Sequence, residues 1–336
     1  MSSTAYLTNR ELELLQLAQR GDQRAYGELV EPHRSVLHAH CYRMLGSLED
    51  ADDALQDALI RAWRGIGRFE VRSSLRTWLY RIATNSSLQL IERRPSRKLS
   101  PDVAEPAVAH TPPGEPLAES VWLEPYLDDP FTQIEQRETL ELAFVASLQH
   151  LPPRQRAVLL LCEVLDFSAK EVAELFETTV ASVNSALQRA RQTVEQRVPA
   201  QTQQETLRTL GDEHARELVK RYMTAIEQSD VDGLVSLLTE DVVWAMPPLS
   251  TWYAGLDTVV PFLTEYPLTE RWRHIPTRAN AQLAVACYMW DEETQRFEGH
   301  TIDVLTLRGD RIAEVTAFID LRPFARLGLP EWLDEE

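Results

Sequence analysis

Arg68-Phe69-Glu70-Val71-Arg72-Ser73-Ser74-Leu75-Arg76-Thr77-Trp78-Leu79-Tyr80-Arg81-Ile82-Ala83-Thr84-Asn85 is the stretch around which the chain is organised. Ser73 or Ser74 is placed to cap a helix in which Leu75, Leu79 and Ile82 form the buried stripe. On that helix Arg76, Tyr80 and Thr84 stand in one row, and Thr77, Arg81 and Asn85 in another. Guanidinium, ring and amide groups interleaved on a surface neutralise phosphates, stack on bases and bond base edges. Capture of unpaired DNA requires that combination. A plainer reading stands beside it, in which Trp78 and Tyr80 are core residues.

Charge separates this stretch from its surroundings. The 336 residues hold 34 Lys and Arg against 52 Asp and Glu, a formal net charge of −18. Residues 61–98 nevertheless carry ten basic and two acidic groups, whereas residues 99–136 carry eight acidic groups and no Lys or Arg. Residues 201–336 are again acidic, with 12 basic and 24 acidic groups. One cationic island in an acidic chain implies different partners for different segments. Apolar runs such as that at 157–162 are far below the ~18 residues of a membrane span. No secretory signal is expected from the polar N-terminal region. Cys41, Cys162 and Cys287 are odd in number and far apart, which disfavours disulfide scaffolds and cysteine zinc sites and suits a reducing cytoplasm.

Outward from the island, residues 10–95 read as helical. Ser47 precedes an acidic first turn (Glu49, Asp50, Asp52, Asp53), suited to a cap and to the helix dipole. Residues 96–130 hold seven prolines and little periodicity and read as an acidic linker, with local docking open to 121–126. Residues 131–198 return to helical spacing. There Ser168 and Glu171 make a capping box, Glu177-Thr178-Thr179 a short turn, and Thr179 a cap for a second helix burying Val183 and Leu187. That pair is a candidate helix-turn-helix, whose second helix enters the major groove.

Glu49-Asp50-Ala51-Asp52-Asp53-Ala54-Leu55-Gln56-Asp57-Ala58, Arg61-Ala62-Trp63 and the 73–85 stretch together resemble region 2 of extracytoplasmic-function (ECF) sigma factors. Leu151-Pro152-Pro153-Arg154-Gln155-Arg156 and the helix-turn-helix resemble their region 4, in the same order and spacing. The resemblance implies a transcription initiation factor that binds core RNA polymerase through its β′ clamp and β flap. It implies polymerase contacts at Asp53, Gln56, Asp57, Arg61 and Trp63. Contacts to the −10 element are implied at Arg68, Arg72, Ser74, Arg76, Trp78, Tyr80, Arg81 and Asn85. For the −35 element they fall on Arg154, Arg156, Thr179, Ser182, Asn184, Ser185, Gln188, Arg189 and Arg191. The chain departs from its relatives at Glu177, where they often have Gly, and at Asn184 and Ala186, where basic residues are frequent.

The third region, 211–330, changes class. Ala215, Leu218, Val219, Tyr222, Met223 and Ile226 follow an amphipathic helical pattern. Strands are expected at 241–246, 281–290, 300–307 and 311–319, with Arg308-Gly309-Asp310 as a hairpin turn. Helices followed by an antiparallel sheet make an α+β domain. Residues 230–248 and 324–330 resemble the beginning and end of a SnoaL-like (NTF2-like) domain, a cone-shaped α+β fold. The whole layout resembles SigJ-like and SigG-like sigma factors. Trp244, Tyr253, Trp272, Tyr288, Trp290 and His300 either line a pocket or build the core. His274, His300, Asp303 and Asp320 are candidates for acid–base chemistry. An odd separation places His300 and Asp303 on opposite strand faces, so no catalytic dyad is expected. No cofactor or metal is implied.

The expectation is therefore multidomain: two all-α sigma modules, a linker and an α+β domain that modulates activity by touching them. Its alternative is a bifunctional factor whose third domain binds or converts a small metabolite. A plain helix-turn-helix repressor leaves residues 49–85 unexplained.

Overall fold

Short-range caps set the helix boundaries. In the computed structural model, which describes residues 7–71, 73–94, 96–116, 122–126, 138–319 and 322–335, the chain divides into two units. The first comprises the described residues up to Ser96 with Ser147–Arg197, and the second those of Arg97–Ala146 with those from Val198 onward.

The first unit begins with α1 (Asn9–Gln19), α2 (Gln23–Val30), α3 (Arg34–Leu45), α4 (Leu48–Gly65) and α5 (Leu75–Ile91). Gly46, at φ 70°, ends α3, and the Ser47 hydroxyl accepts from Asp50 N to start α4. Small residues Ala51, Ala54, Ala58 and Ala62 face inward from α4, so α3 and α5 approach it closely. The buried stripe of α5 is Leu75, Leu79, Tyr80 and Ala83; Ile82, expected in it, is half-exposed. The stripe follows the i, i+4, i+8 row, which turns Ile82 toward solvent.

After α6 (Leu142–Gln149) come α7 (Pro153–Leu159), a π turn (Leu160–Val164), α8 (Ala169–Leu175) and α9 (Val180–Glu195). Both elements of the Ser168–Glu171 capping box are formed, and the Thr179 hydroxyl accepts from Ser182 N at 3.1 Å. Glu177 in the turn has φ 51°, a left-handed conformation in which a β-carbon is unfavourable. Glu177→Gly is therefore expected to raise the unfolding free energy by about 1 kcal/mol. Urea unfolding of the full chain reads this, and a lower midpoint would refute it.

The second unit contains α10 (Gln203–Leu210), α11 (Asp212–Glu227), α12 (Val231–Leu237), β1 (Leu238–Ala245), β2 (Trp252–Ala254) and α13 (Leu256–Glu265). It continues with β3 (Trp272–Ala279), β4 (Gln282–Asp291), β5 (Arg296–Arg308), β6 (Arg311–Phe318), α14 (Arg322–Arg326) and β7 (Trp332–Leu333). The sheet order is β2-β1-β6-β5-β4-β3, with β7 on β5. The expected antiparallel sheet is in fact mixed, because β1 and β6 pair parallel. They are far apart in sequence, and the long connection between them permits a parallel pair. Gly309, at φ 65°, closes the β5–β6 hairpin. On one face Tyr222 and Ile226 of α11 and Phe262 of α13 pack with Trp244, Leu305 and Val315 of the sheet.

The proline-rich segment is held against this α+β domain. Ser100 Oγ donates to Leu249 O at 2.7 Å, Trp252 Nε1 to Ala104 O at 2.7 Å, and Tyr253 OH to Thr111 O at 2.7 Å. Trp122, Leu123 and Tyr126 are buried, and Tyr126 exchanges two backbone-directed bonds with Asn280. Val121 lies outside the described residues. Among the described residues no helix is long and apolar enough to cross a membrane.

Candidate nucleic-acid interface

Helix α5 presents two different edges. On the open edge a cavity of about 290 Å³ is lined by Arg61, Gly65, Arg68, Trp78, Ile82 and Asn85. Trp78 packs on Phe69 with ring centroids 4.9 Å apart, and Gly65 sits under its ring, where a β-carbon would come within 3.3 Å. Arg68 and Arg81 are exposed beside this cavity. The Ser74 hydroxyl is engaged as the cap of α5, accepting from Thr77 N at 3.0 Å. Arg72 lies outside the described residues.

The other edge is covered by residues that follow α7. Tyr80 is 1% exposed, edge-on to both His40 and Phe167. The Arg76 guanidinium lies over the Tyr80 and Phe167 rings and donates to Leu165 O at 3.2 Å. Thus Tyr80 and Thr84 face packed protein while Arg76, on the same row, stays exposed, and Trp78, Arg81 and Asn85 face outward or half-outward. Tyr80 is a core residue, whereas Trp78 is half-exposed on the open edge.

Asp53 and Gln56 are exposed on α4, and Asp57 pairs with Arg61 at 2.7 Å. Ser86 donates to Asp57 and Arg61 to Gln89, each at 2.7 Å, so this polar edge is braced by α5. Trp63 packs at a tilt against Tyr26 with centroids 5.1 Å apart.

In the helix-turn-helix, Ser182, Asn184, Ser185, Gln188 and Arg189 form an exposed strip on α9, with Thr179 at its start. Val183 and Ala190 are its buried anchors, while Leu187 is half-buried. Arg191 is exposed but paired with Glu163. Arg154 is exposed, whereas Arg156, expected on DNA, is 3% exposed. Its guanidinium donates to Met44 O, Gln149 Oε1 (2.7 Å), Gln149 O (3.2 Å) and Leu151 O (3.3 Å). Burial lowers its pKa to about 10. In this arrangement Arg156 is a brace across the unit, because five N–H donors in a rigid fork can satisfy several carbonyls at once.

In the α+β domain, Trp244, Trp272 and His300 line a cavity of about 420 Å³, but Tyr253, Tyr288 and Trp290 do not. Tyr288 OH donates to Pro330 O at 3.0 Å and Trp290 packs with Phe297 and Arg271. His300 and Asp303 both reach this cavity, contrary to the expected alternation. A bulge is the reason: the register jumps from Cys287↔Thr301 to Tyr288↔Gly299, leaving His300 as the extra residue. Asp303 accepts from Tyr222 OH at 2.8 Å and Thr301 Oγ1 at 3.1 Å, and burial raises its pKa. Burial lowers the pKa of His300. Both shifts favour neutral forms. Asp320 lies outside the described residues. Among the described residues no cluster of three or more His, Cys, Asp or Glu could hold a metal.

Residues 29–97 match the Sigma-70 region 2 family, 141–194 the Sigma-70 region 4 family, and 219–315 the SnoaL-like domain family. The chain is 42% identical over 327 residues to the ECF RNA polymerase sigma factor SigG of Mycobacterium tuberculosis, covering 94% of this chain and 85% of that protein. The chain belongs to the ECF sigma factors of the sigma-70 family. It is also 30% identical over 174 residues to SigW of Bacillus subtilis, covering 52% of this chain and 88% of that one. The crystal structure of the M. tuberculosis ECF sigma factor SigJ shares the fold, with a TM-score of 0.58 at 20% identity over 95% of this chain and 99% of that one. This ECF sigma factor thus carries a SnoaL-like domain fused behind its two sigma regions.

Proposed function

We propose that this sigma factor captures the opened −10 strand at the cavity edged by Arg61, Arg68, Trp78 and Asn85, with Arg81 on the adjoining phosphates. That cavity carries the reading, since it sets a half-exposed ring beside guanidinium and amide groups, as single-strand binding requires. Ser182, Asn184, Ser185, Gln188 and Arg189 read the −35 duplex, with Thr179 and Arg154 positioned for phosphates. Asp53, Gln56, Asp57 and Trp63 meet the β′ clamp, and region 4 meets the β flap. The protein acts in the cytoplasm, where it joins core polymerase.

The burial of Tyr80 and the bond from Arg76 to the Leu165 carbonyl support a two-state cycle in which the sigma modules part before α5 exposes its second edge. The SnoaL-like domain modulates that cycle by contact with the sigma modules and is not an enzyme. Its Asp303 is already bonded to Tyr222 and Thr301, which leaves it poorly placed as a base. Run-off transcription with core polymerase tests the assignment. The full chain is expected to direct promoter-specific initiation, and a chain ending at Arg197 is expected to differ from it in activity. Equal activity of the two would remove the modulating role, and no transcript from the full chain would remove the promoter reading.

A further inference from the structure

The cavity beside Trp78 is edged by the connection between α4 and α5, and that connection is short. Ile66–Arg68 makes one 3-10 turn, closed by Phe69 N donating to Ile66 O at 3.0 Å. Arg68 lines the cavity, and the Phe69 ring packs against Trp78 with centroids 4.9 Å apart and planes 36° apart. Beyond the turn Glu70 and Val71 are exposed, until the Ser74 cap starts α5. A lone 3-10 turn has poor hydrogen-bond geometry and does not by itself hold an aromatic ring in place.

The support comes from α1. Gln19, the last residue of that helix, donates from its side-chain nitrogen to Ile66 O at 3.3 Å and to Phe69 O at 3.0 Å. Both partners are carbonyls, which only accept, so the amide oxygen could not stand in for the nitrogen there. A primary amide carries two N–H groups, and each end of the turn takes one. The helix that presents Gln19 is itself fixed. Thr8 and Glu11 form a capping box at its start, and Leu14, Leu15 and Ala18 are buried.

Trp78 is thereby bounded on two sides. Phe69 limits it from the turn and Gly65 from α4, where a β-carbon would come within 3.3 Å of the ring. A shift of the turn moves Phe69, and with it the ring against which a base would stack. Recognition groups work only when held within about 0.5 Å of their productive positions. The stability at stake is small, because Gln19 is exposed and Ile66 O keeps its bond from Phe69 N.

We propose that Gln19 is a positioning residue for promoter opening: its amide fixes the 66–69 turn, and through Phe69 it sets the Trp78 ring where an unstacked −10 base is received. Gln19 is not part of the cavity wall, so its effect passes through the turn. This role rests on the assignment of the opened −10 strand to that cavity.

A double-mutant cycle on the full chain, bound to core polymerase, tests it. Gln19→Met keeps the length of the side chain and removes both donors. Gln19→Ala, a better helix former at an exposed position, guards against loss of fold. Each is expected to slow opening of the −10 region, followed by permanganate reactivity, about 5-fold, with core polymerase bound as tightly as by the parent. Trp78→Ala alone should slow opening about 10-fold. Combined with Gln19→Met it should still be slowed about 10-fold, because the amide then has no ring to position, whereas independent effects would multiply to about 50-fold. Multiplication would make Gln19 a general support of the fold and overturn the positioning role, as would weaker polymerase binding by both Gln19 variants. Wild-type opening by both, with Trp78→Ala slow, would overturn it while leaving the cavity assignment intact. Wild-type opening by Trp78→Ala would remove the cavity assignment and the role of Gln19 together.

Discussion

Arg156→Ala is expected to lower the unfolding free energy of the sigma unit by about 3 kcal/mol, a large share of the stability of a domain this size. The guanidinium donates to Met44 O in one helix and to Gln149 and Leu151 carbonyls near another. Alanine removes the charge-assisted bonds and leaves buried acceptors unpaired, and the two losses add. Arg156→Lys should recover only part, because a single ammonium cannot reproduce a planar fork. Denaturant unfolding monitored by the ring signals of Tyr80 and its neighbours would report the loss. A contact to −35 phosphates predicts the opposite pattern: unchanged stability, and a salt slope of DNA binding reduced by about one. Observing that pattern would remove the bracing role.

The second large effect is expected at the open edge of α5. Arg68→Ala combined with Trp78→Ala should reduce open-complex formation about 100-fold. Loss of stacking on one base costs about 1–3 kcal/mol, and loss of an arginine contact a similar amount. Trp78→Phe keeps a π face and should recover most of the activity. Tyr80→Phe provides the contrast. Tyr80 is buried and its hydroxyl lies 3.5 Å from Val36 O, a weak bond, so its removal should leave promoter opening near wild type. Permanganate footprinting of the −10 region measures all three variants. If the double variant melted the promoter normally, the cavity assignment would be wrong.

These predictions separate residues that the sequence placed together. Arg76, Trp78, Tyr80 and Arg81 lie within one and a half turns, and composition alone cannot say which face is covered. The covering group, Phe167 with the Leu165 carbonyl, is about 90 residues away. Likewise, Leu151-Pro152-Pro153-Arg154-Gln155-Arg156 carries the region 4 resemblance, yet its two arginines have different surroundings: Arg154 faces solvent and Arg156 the interior.

Features decided within a few residues were legible from the chain. The caps at Ser47, Ser74, Ser168 and Thr179 formed where their hydroxyls precede free backbone N–H groups. Gly309 closed the expected hairpin for the same local reason. The strand Trp272–Ala279 was missed because it is an edge strand containing Pro276 and polar residues, so it lacks the alternation of a buried strand. With it went the position of His274, which only a strand assignment places beside Cys287.

The order of the helices, the split between cationic and acidic segments, and the family were determined by the sequence, because each depends on nearest neighbours or on composition. Only the tertiary structure decided that a bulge turns His300 toward Asp303, that the proline-rich segment walls a cavity, and that Arg156 is a brace. Those outcomes depend on pairings between residues tens to more than a hundred positions apart, and their energies are set by burial and geometry that no local pattern encodes.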